Sequence, residues 1–232
     1  MFYPGFYFDT TYLILIPAVI IAFWAQNKID SAYKKYSTVR TMSGVTGSEV
    51  ARSILDGAGL FDVRVERYGK HLGDHYDPSK RVIRLSPEVY DGATVASAGI
   101  AAHECGHAIQ HQNHYAPLVL RTRIAPIVNI GSNVSIWLFM IGIFLGNPLF
   151  ANIGIIFFSG AVIYQLVTLP VEFNASTRAL SILKTRTFLY GDELKGAQKV
   201  LDAAAMTYVA ATLMAISQLI RLIALNNRYN DN

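Results

Sequence analysis

Four long apolar stretches organise this chain. Residues 11–25, 127–146, 149–169 and 203–220 are rich in Leu, Ile, Val, Phe and Ala and contain no Asp, Glu, Lys or Arg. Each approaches the roughly 20 residues that cross a hydrocarbon core as a helix. The pattern therefore predicts a mostly α membrane protein with about four transmembrane helices. The first stretch has no basic start and no small-x-small site before Lys28, so it reads as a retained anchor, not a cleaved signal. For the last stretch a long core helix is the alternative to a full span.

The pattern changes between these stretches. Residues 27–46 are polar and basic. Thr46-Gly47-Ser48-Glu49 has the form of a capping box, Val50, Ala51, Ile54 and Leu55 fall on one helical face, and Gly57-Ala58-Gly59 ends the run. Alternation over 61–65 and again over 81–85, around the turn residues Asp77-Pro78-Ser79-Lys80, predicts a small sheet. Asp91-Gly92-Ala93-Thr94 offers a turn and an N-cap for a helix of small and apolar residues that begins at Val95. Residues 192–225 read as one long helix. The chain thus divides into an N-terminal anchor (1–26), an α+β region (27–126), a transmembrane hairpin (127–170), a polar helix and connector (171–202) and a last transmembrane helix with a tail (203–232).

Composition agrees with this layout. The 232 residues are 52% hydrophobic with a mean hydropathy of +0.31, more apolar than an ordinary soluble domain. The formal net charge of +4 is unevenly placed. Lys and Arg crowd 27–126 and 171–200, and none lies in 1–26 or in the turn 146–148. The positive-inside rule then puts both basic segments in the cytoplasm and the N-terminus outside. Such flanks suit anionic lipid head groups. No basic patch with interleaved base-stacking aromatics is present, so nucleic acid is not an expected partner. A single cysteine, Cys105, excludes an internal disulfide.

The chemistry is concentrated in His103-Glu104-Cys105-Gly106-His107. On a helix the two histidines are one turn apart, on one face, with roots about 6 Å from each other. Two neutral imidazoles so placed can hold one Zn²⁺, and Glu104 beside them can serve as a general base toward a water. A third ligand must come from elsewhere. The metzincin spacing would put a histidine at residue 113, which is Asn113. Downstream of Gln110 the acidic residues are Glu172, Asp192, Glu193, Asp202 and Asp231. Glu172 is the choice, because it begins a helix-compatible run just past an apolar span. Two crossings separate it from His107, so both return to the same side. Cys105 points away from the histidine face and reads as a packed thiol.

Three blocks in this order, Asp74-His75-Tyr76-Asp77-Pro78 with Arg84-Leu85-Ser86-Pro87-Glu88-Val89-Tyr90, His103 to His111, and Val171-Glu172-Phe173-Asn174-Ala175-Ser176, resemble the YugP-type neutral zinc metallopeptidases of bacterial membranes. The layout is more distantly similar to membrane gluzincins of the HtpX kind. In those the third ligand is followed four residues later by Asp, where this chain has Ser176. The resemblance implies a zincin-like catalytic unit at the cytoplasmic membrane surface, one Zn²⁺ per chain, Glu104 as catalytic base, and His103, His107 and Glu172 as ligands. Ser176 or Asn174 would then support a ligating histidine. It also implies that an edge strand near Leu72–Tyr76 pairs with the substrate backbone. His75, Tyr76 or Arg178 would donate to the oxyanion. The expected activity is endopeptidase cleavage of membrane or membrane-proximal proteins, with homo-oligomerisation left open. A non-catalytic metal-stabilised scaffold is the alternative. Glu104 argues against it, since a purely structural site has no use for that carboxylate.

Overall fold

The computed structural model describes residues 9–71 and 73–230. A 3₁₀ turn at Thr10–Leu15 leads into α1 (Ile16–Tyr36). Then come α2 (Gly47–Gly57), β1 (Arg64–Arg67), β2 (His75–Asp77), β3 (Val82–Leu85), α3 (Pro87–Tyr90) and α4 (Val95–Gln112). The chain ends with α5 (Ala116–Leu145), α6 (Pro148–Thr185) and α7 (Gly191–Asn230). Among the described residues, four helices are long and apolar enough to cross a membrane: Thr10–Tyr36, Ala116–Leu145, Pro148–Thr185 and Gly191–Tyr229. The chain separates into two compact units.

The first unit comprises the described residues up to Trp24, Ile124–Leu166 and Ala210 onward. Its surface is inverted relative to a water-soluble bundle. Phe23, Trp137 and Phe144 are 71%, 72% and 89% exposed, while Ser135, Thr212 and Asn226 are buried. Apolar outside and polar inside is the arrangement a hydrocarbon solvent selects. At the α5–α6 hairpin Gly142 lies so close to the Ala151 backbone that no side chain fits there. This close approach is typical of helix packing in lipid. Asn226 donates to Asn152 Oδ1 at 2.9 Å, tying the end of α7 to the start of α6. Arg221 donates to Asp9 Oδ2 at 3.3 Å and stacks on Tyr12 at 3.8 Å, tying the same end of α7 to the 3₁₀ turn that leads into α1. The turn before α1, the start of α6 and the end of α7 therefore meet at one end of this unit.

The second unit, Ala25–Arg123 with Val167–Val209, carries the sheet and α4. Thr46 and Glu49 form both halves of the expected capping box at α2, and the Thr94 side chain accepts from Ser97 N to open α4. The sheet has the order β1-β3-β2, with β1 parallel to β3 and β2 antiparallel to it. The first strand lies further along than the alternation at 61–65 suggests. Phe61 is exposed, whereas Leu60 and Val63 are buried, so the residues before β1 fill the core from a turn. The turn at 77–80 is present, with Asp77 Oδ1 accepting from Ser79 N and Lys80 N, but it joins β2 to β3. Parallel β1 and β3 need a longer crossover, which a local pattern does not reveal. Leu72 lies outside the described residues.

One core unites this unit. Ile54, Leu55, Ile83, Leu85, Val89, Ala102, Cys105 and Leu183 belong to a single buried cluster that runs from α2 through the sheet and α4 to α6. Pro170 stands inside α6, where a proline ordinarily breaks or kinks a helix. Instead α6 continues through it, as α5 does through Pro126. A proline removes one backbone donor, and the rest of the i→i−4 ladder carries each helix past it. Gln110 Nε2 reaches Val171 O at 2.8 Å, immediately after the proline.

Candidate metal centre

Helix α4 presents His103 and His107, and α6 presents Glu172 between them. Glu172 Oε2 lies 3.3 Å from His103 Nε2 and 3.5 Å from His107 Nε2. One ligand atom from each of the three residues falls within 4.8 Å of the others, so the group could hold a metal ion. The helices meet this closely because of Gly106. A Cβ at that position would lie 2.7 Å from Ala175 O, so only glycine lets the α6 backbone rest on α4 beside the histidines. Gly106→Ala should push the helices apart and cut zinc affinity by about 10–100-fold, the range for loss of ligand support. A competition titration with a zinc chelator checks this, and unchanged affinity would show that the contact does not set the site.

The remaining ring nitrogens define the chemistry. His107 Nδ1 lies 3.1 Å from Gln110 Oε1. The orientation of that amide follows from its other end, where Nε2 donates to Val171 O at 2.8 Å and Asn174 Oδ1 at 3.0 Å. Gln110 Oε1 can only accept, so His107 carries its proton on Nδ1 and turns the Nε2 lone pair toward Glu172. His103 Nδ1 contacts Ser176 Oγ at 3.1 Å, which leaves its Nε2 facing the same point. Glu172 Oε2 is buried there and has no hydrogen-bond partner among the described residues. Lone pairs converging on an unpartnered carboxylate oxygen are satisfied by a cation, so the donor set fits zinc.

Glu172 Oε1 accepts from Arg121 Nη1 at 2.7 Å. Tyr208, on α7, stands beside both Glu172 and Glu104. Neither Arg121 nor Tyr208 was singled out from the sequence. Arg121 counted only as part of the basic flank, and Tyr208 lies unremarked within the last apolar stretch. Pairing the charges on the two ends of the α5–α6 hairpin was the signal that could have found Arg121. Gln110 was also missed, because its role depends on reaching α6.

Glu104 is buried next to His103. Burial pushes its carboxyl up to about 7, against the pull of His103 and with a further push from Glu172 and Asp74. The Tyr76 backbone N–H also bonds to it from strand β2. That strand lies at the edge of the sheet. The other sequence candidates have partners elsewhere. Tyr76 Oη pairs with His111 Nδ1 at 2.9 Å. His75 Nδ1 bonds Gly73 O at 2.7 Å, and its ring packs edge-on to Tyr68. Arg178 Nε donates to Asn174 Oδ1 at 2.7 Å, so Asn174 links Arg178 and Gln110 into the support behind His107. The Cys105 thiol is buried against Ala51 O, and burial raises its pKa well above the usual thiol range.

Four apolar helices and a buried cluster of two histidines and a carboxylate define a membrane protein with a candidate metal centre. A family model described as "Putative neutral zinc metallopeptidase" matches residues 11–227, and the chain belongs to that family. It is 50% identical over 217 residues to a Bacillus subtilis (strain 168) protein described as "Putative membrane protease YugP". The match covers 93% of this chain and 96% of the relative. No solved structure matches the chain significantly.

Proposed function

We propose that this protein is a membrane-embedded zinc endopeptidase that cleaves membrane or membrane-proximal proteins at the cytoplasmic face. The observation that carries this reading is the convergence of His103, His107 and the unpartnered Glu172 Oε2, with the buried carboxyl of Glu104 alongside.

His103, His107 and Glu172 hold one zinc per chain. Bound zinc supplies a Lewis acid that polarises the substrate carbonyl and lowers the pKa of a water toward about 7. Glu104 takes a proton from the attacking water and returns it to the leaving amine. Gln110 and Ser176 hold the two imidazoles in orientation through Nδ1. Arg121 fixes Glu172 through Oε1 and leaves Oε2 for the metal. Tyr208, which stands beside Glu172 and Glu104, is the side chain we assign to face the carbonyl oxygen as it gains negative charge. The open edge of β2 takes the substrate backbone as an added strand.

The basic segments argue for the cytoplasmic side. The meeting of Asp9 with Arg221 fits an even number of crossings, since it joins the start of the first span to the end of the last. Digestion of a peptide library tests activity and side together. Inverted membrane vesicles should cleave it and right-side-out vesicles should not. A zinc chelator should abolish cleavage, and added zinc should restore it. A zinc-loaded protein that cleaves no peptide in either orientation would leave the scaffold reading in its place.

A further inference from the structure

A cavity of about 240 Å³ opens directly beside His103 and Glu104. Its walls come from three helices: Ile29 of α1, Ile100 of α4, and Val200, Leu201 and Ala204 of α7. We propose that this cavity receives a large apolar side chain, of the Leu, Met or Phe class, from the substrate residue flanking the scissile bond. The proposal rests on the endopeptidase reading and adds the specificity of that site.

Size and chemistry both favour this occupant. A cavity of about 150 Å³ lined by aliphatic groups takes a benzene-sized molecule, so 240 Å³ leaves room for a phenyl or isobutyl group. Among the described residues, no Lys or Arg lines it. The acids that do are Glu104, Asp74 and Asp30. Asp74 is engaged by Ser86 N at 2.7 Å and by Ser86 Oγ, and Asp30 at the exposed rim accepts from Gln26 Nε2 at 2.9 Å. An acidic side chain would find no counter-charge and would meet carboxylates. A basic one could set its charge on Asp30 only at the rim, because Asp74 is already engaged by Ser86 and Glu104 is the candidate base, so it would leave the apolar depth of the cavity unfilled. A small side chain would fill little of the space, and each missing methylene in such a pocket costs about 10–200-fold in discrimination. Because the cavity shares His103 and Glu104 with the candidate centre, a peptide held for cleavage there has a neighbouring side chain within reach of it.

The test uses full-length, zinc-loaded protein and a peptide library with sequenced cleavage sites. Wild type should favour Leu, Met or Phe over Ala and Gly by at least about 10-fold at one position flanking the cut. Ala204→Phe, which fills the space, should move that preference toward Ala and Gly with zinc content unchanged. Ile100→Ala, which enlarges it, should extend the preference to Trp. A parallel binding assay uses the zinc-loaded Glu104→Gln protein and two peptides differing only in Leu or Ala at that position. Ala204→Phe in that background should weaken the Leu peptide selectively. If wild type cleaves with an equal or charged preference, or if the Ala204 change moves neither cleavage nor binding preference, the pocket assignment is overturned. If wild type cleaves nothing, the endopeptidase reading fails, and the binding pair alone then judges the pocket.

Discussion

Glu104→Gln is expected to lower kcat by about 10²–10⁴-fold, the range for loss of a positioned acid–base group, with zinc content unchanged. The substitution is nearly isosteric. A Gln at this position can still accept the Tyr76 backbone N–H that now bonds to Glu104, so strand β2 keeps its anchor on α4. What it cannot do is accept a proton from water or pass one to an amine. Glu104 is not among the three groups that converge on one point, so its loss should not release metal. The informative comparison is kcat against zinc stoichiometry in the same preparation. Turnover at the wild-type rate would remove Glu104 as the base. Loss of zinc would make it a ligand.

The second large effect is expected at Glu172. Glu172→Ala removes one of the three candidate ligands and also strips Arg121, about a quarter exposed, of its carboxylate partner. Two losses would then be mixed, one of metal and one of stability. Glu172→Gln separates them. Its amide oxygen can still accept from Arg121 at the position of Oε1, while the negative charge facing the histidines is gone. Both variants should lose more zinc affinity than the roughly 10–100-fold that follows from removing a supporting residue. Glu172→Ala should also unfold at lower temperature than Glu172→Gln in the metal-free state. Wild-type zinc stoichiometry in both would exclude Glu172 from the ligand set. Gln110→Ala provides an internal scale. It frees His107 Nδ1 without touching a ligand, and its loss of affinity should be the smaller one.

The candidate site was visible in the sequence to different degrees, and the differences have physical causes. His103, Glu104 and His107 stand out because a helix converts a four-residue spacing into one face, whatever surrounds it. Glu172 could be chosen because few acids follow Gln110 and because two intervening spans return the chain to the same side. The supporting groups were less accessible. Ser176 was a candidate only by position, and it does contact His103 Nδ1 at 3.1 Å. Gln110, Arg121 and Tyr208 act across gaps of 61, 51 and 36 residues, to Val171, Glu172 and Glu172 respectively. No local pattern encodes such a meeting. His75 and Arg178 each hold one hydrogen bond that spacing alone does not reveal, His75 Nδ1 with Gly73 O and Arg178 Nε to Asn174 Oδ1.

Local order was set by the chain's own periodicities. Apolar runs of membrane-spanning length, a capping box at Thr46, an N-cap at Thr94 and a helical pair of histidines depend on residues within a few turns of one another, so their one-dimensional spacing is sufficient. Tertiary structure decided everything that required two distant backbones to touch. It made β1 parallel to β3, carried α6 unbroken through Pro170, and seated Ala175 on Gly106 so that Glu172 enters between the histidines. It also assembled the apolar cavity beside Glu104, with walls from three helices separated by up to 175 positions, from Ile29 to Ala204. Spacing along a chain specifies which side chains share a face, but only packing specifies which faces meet.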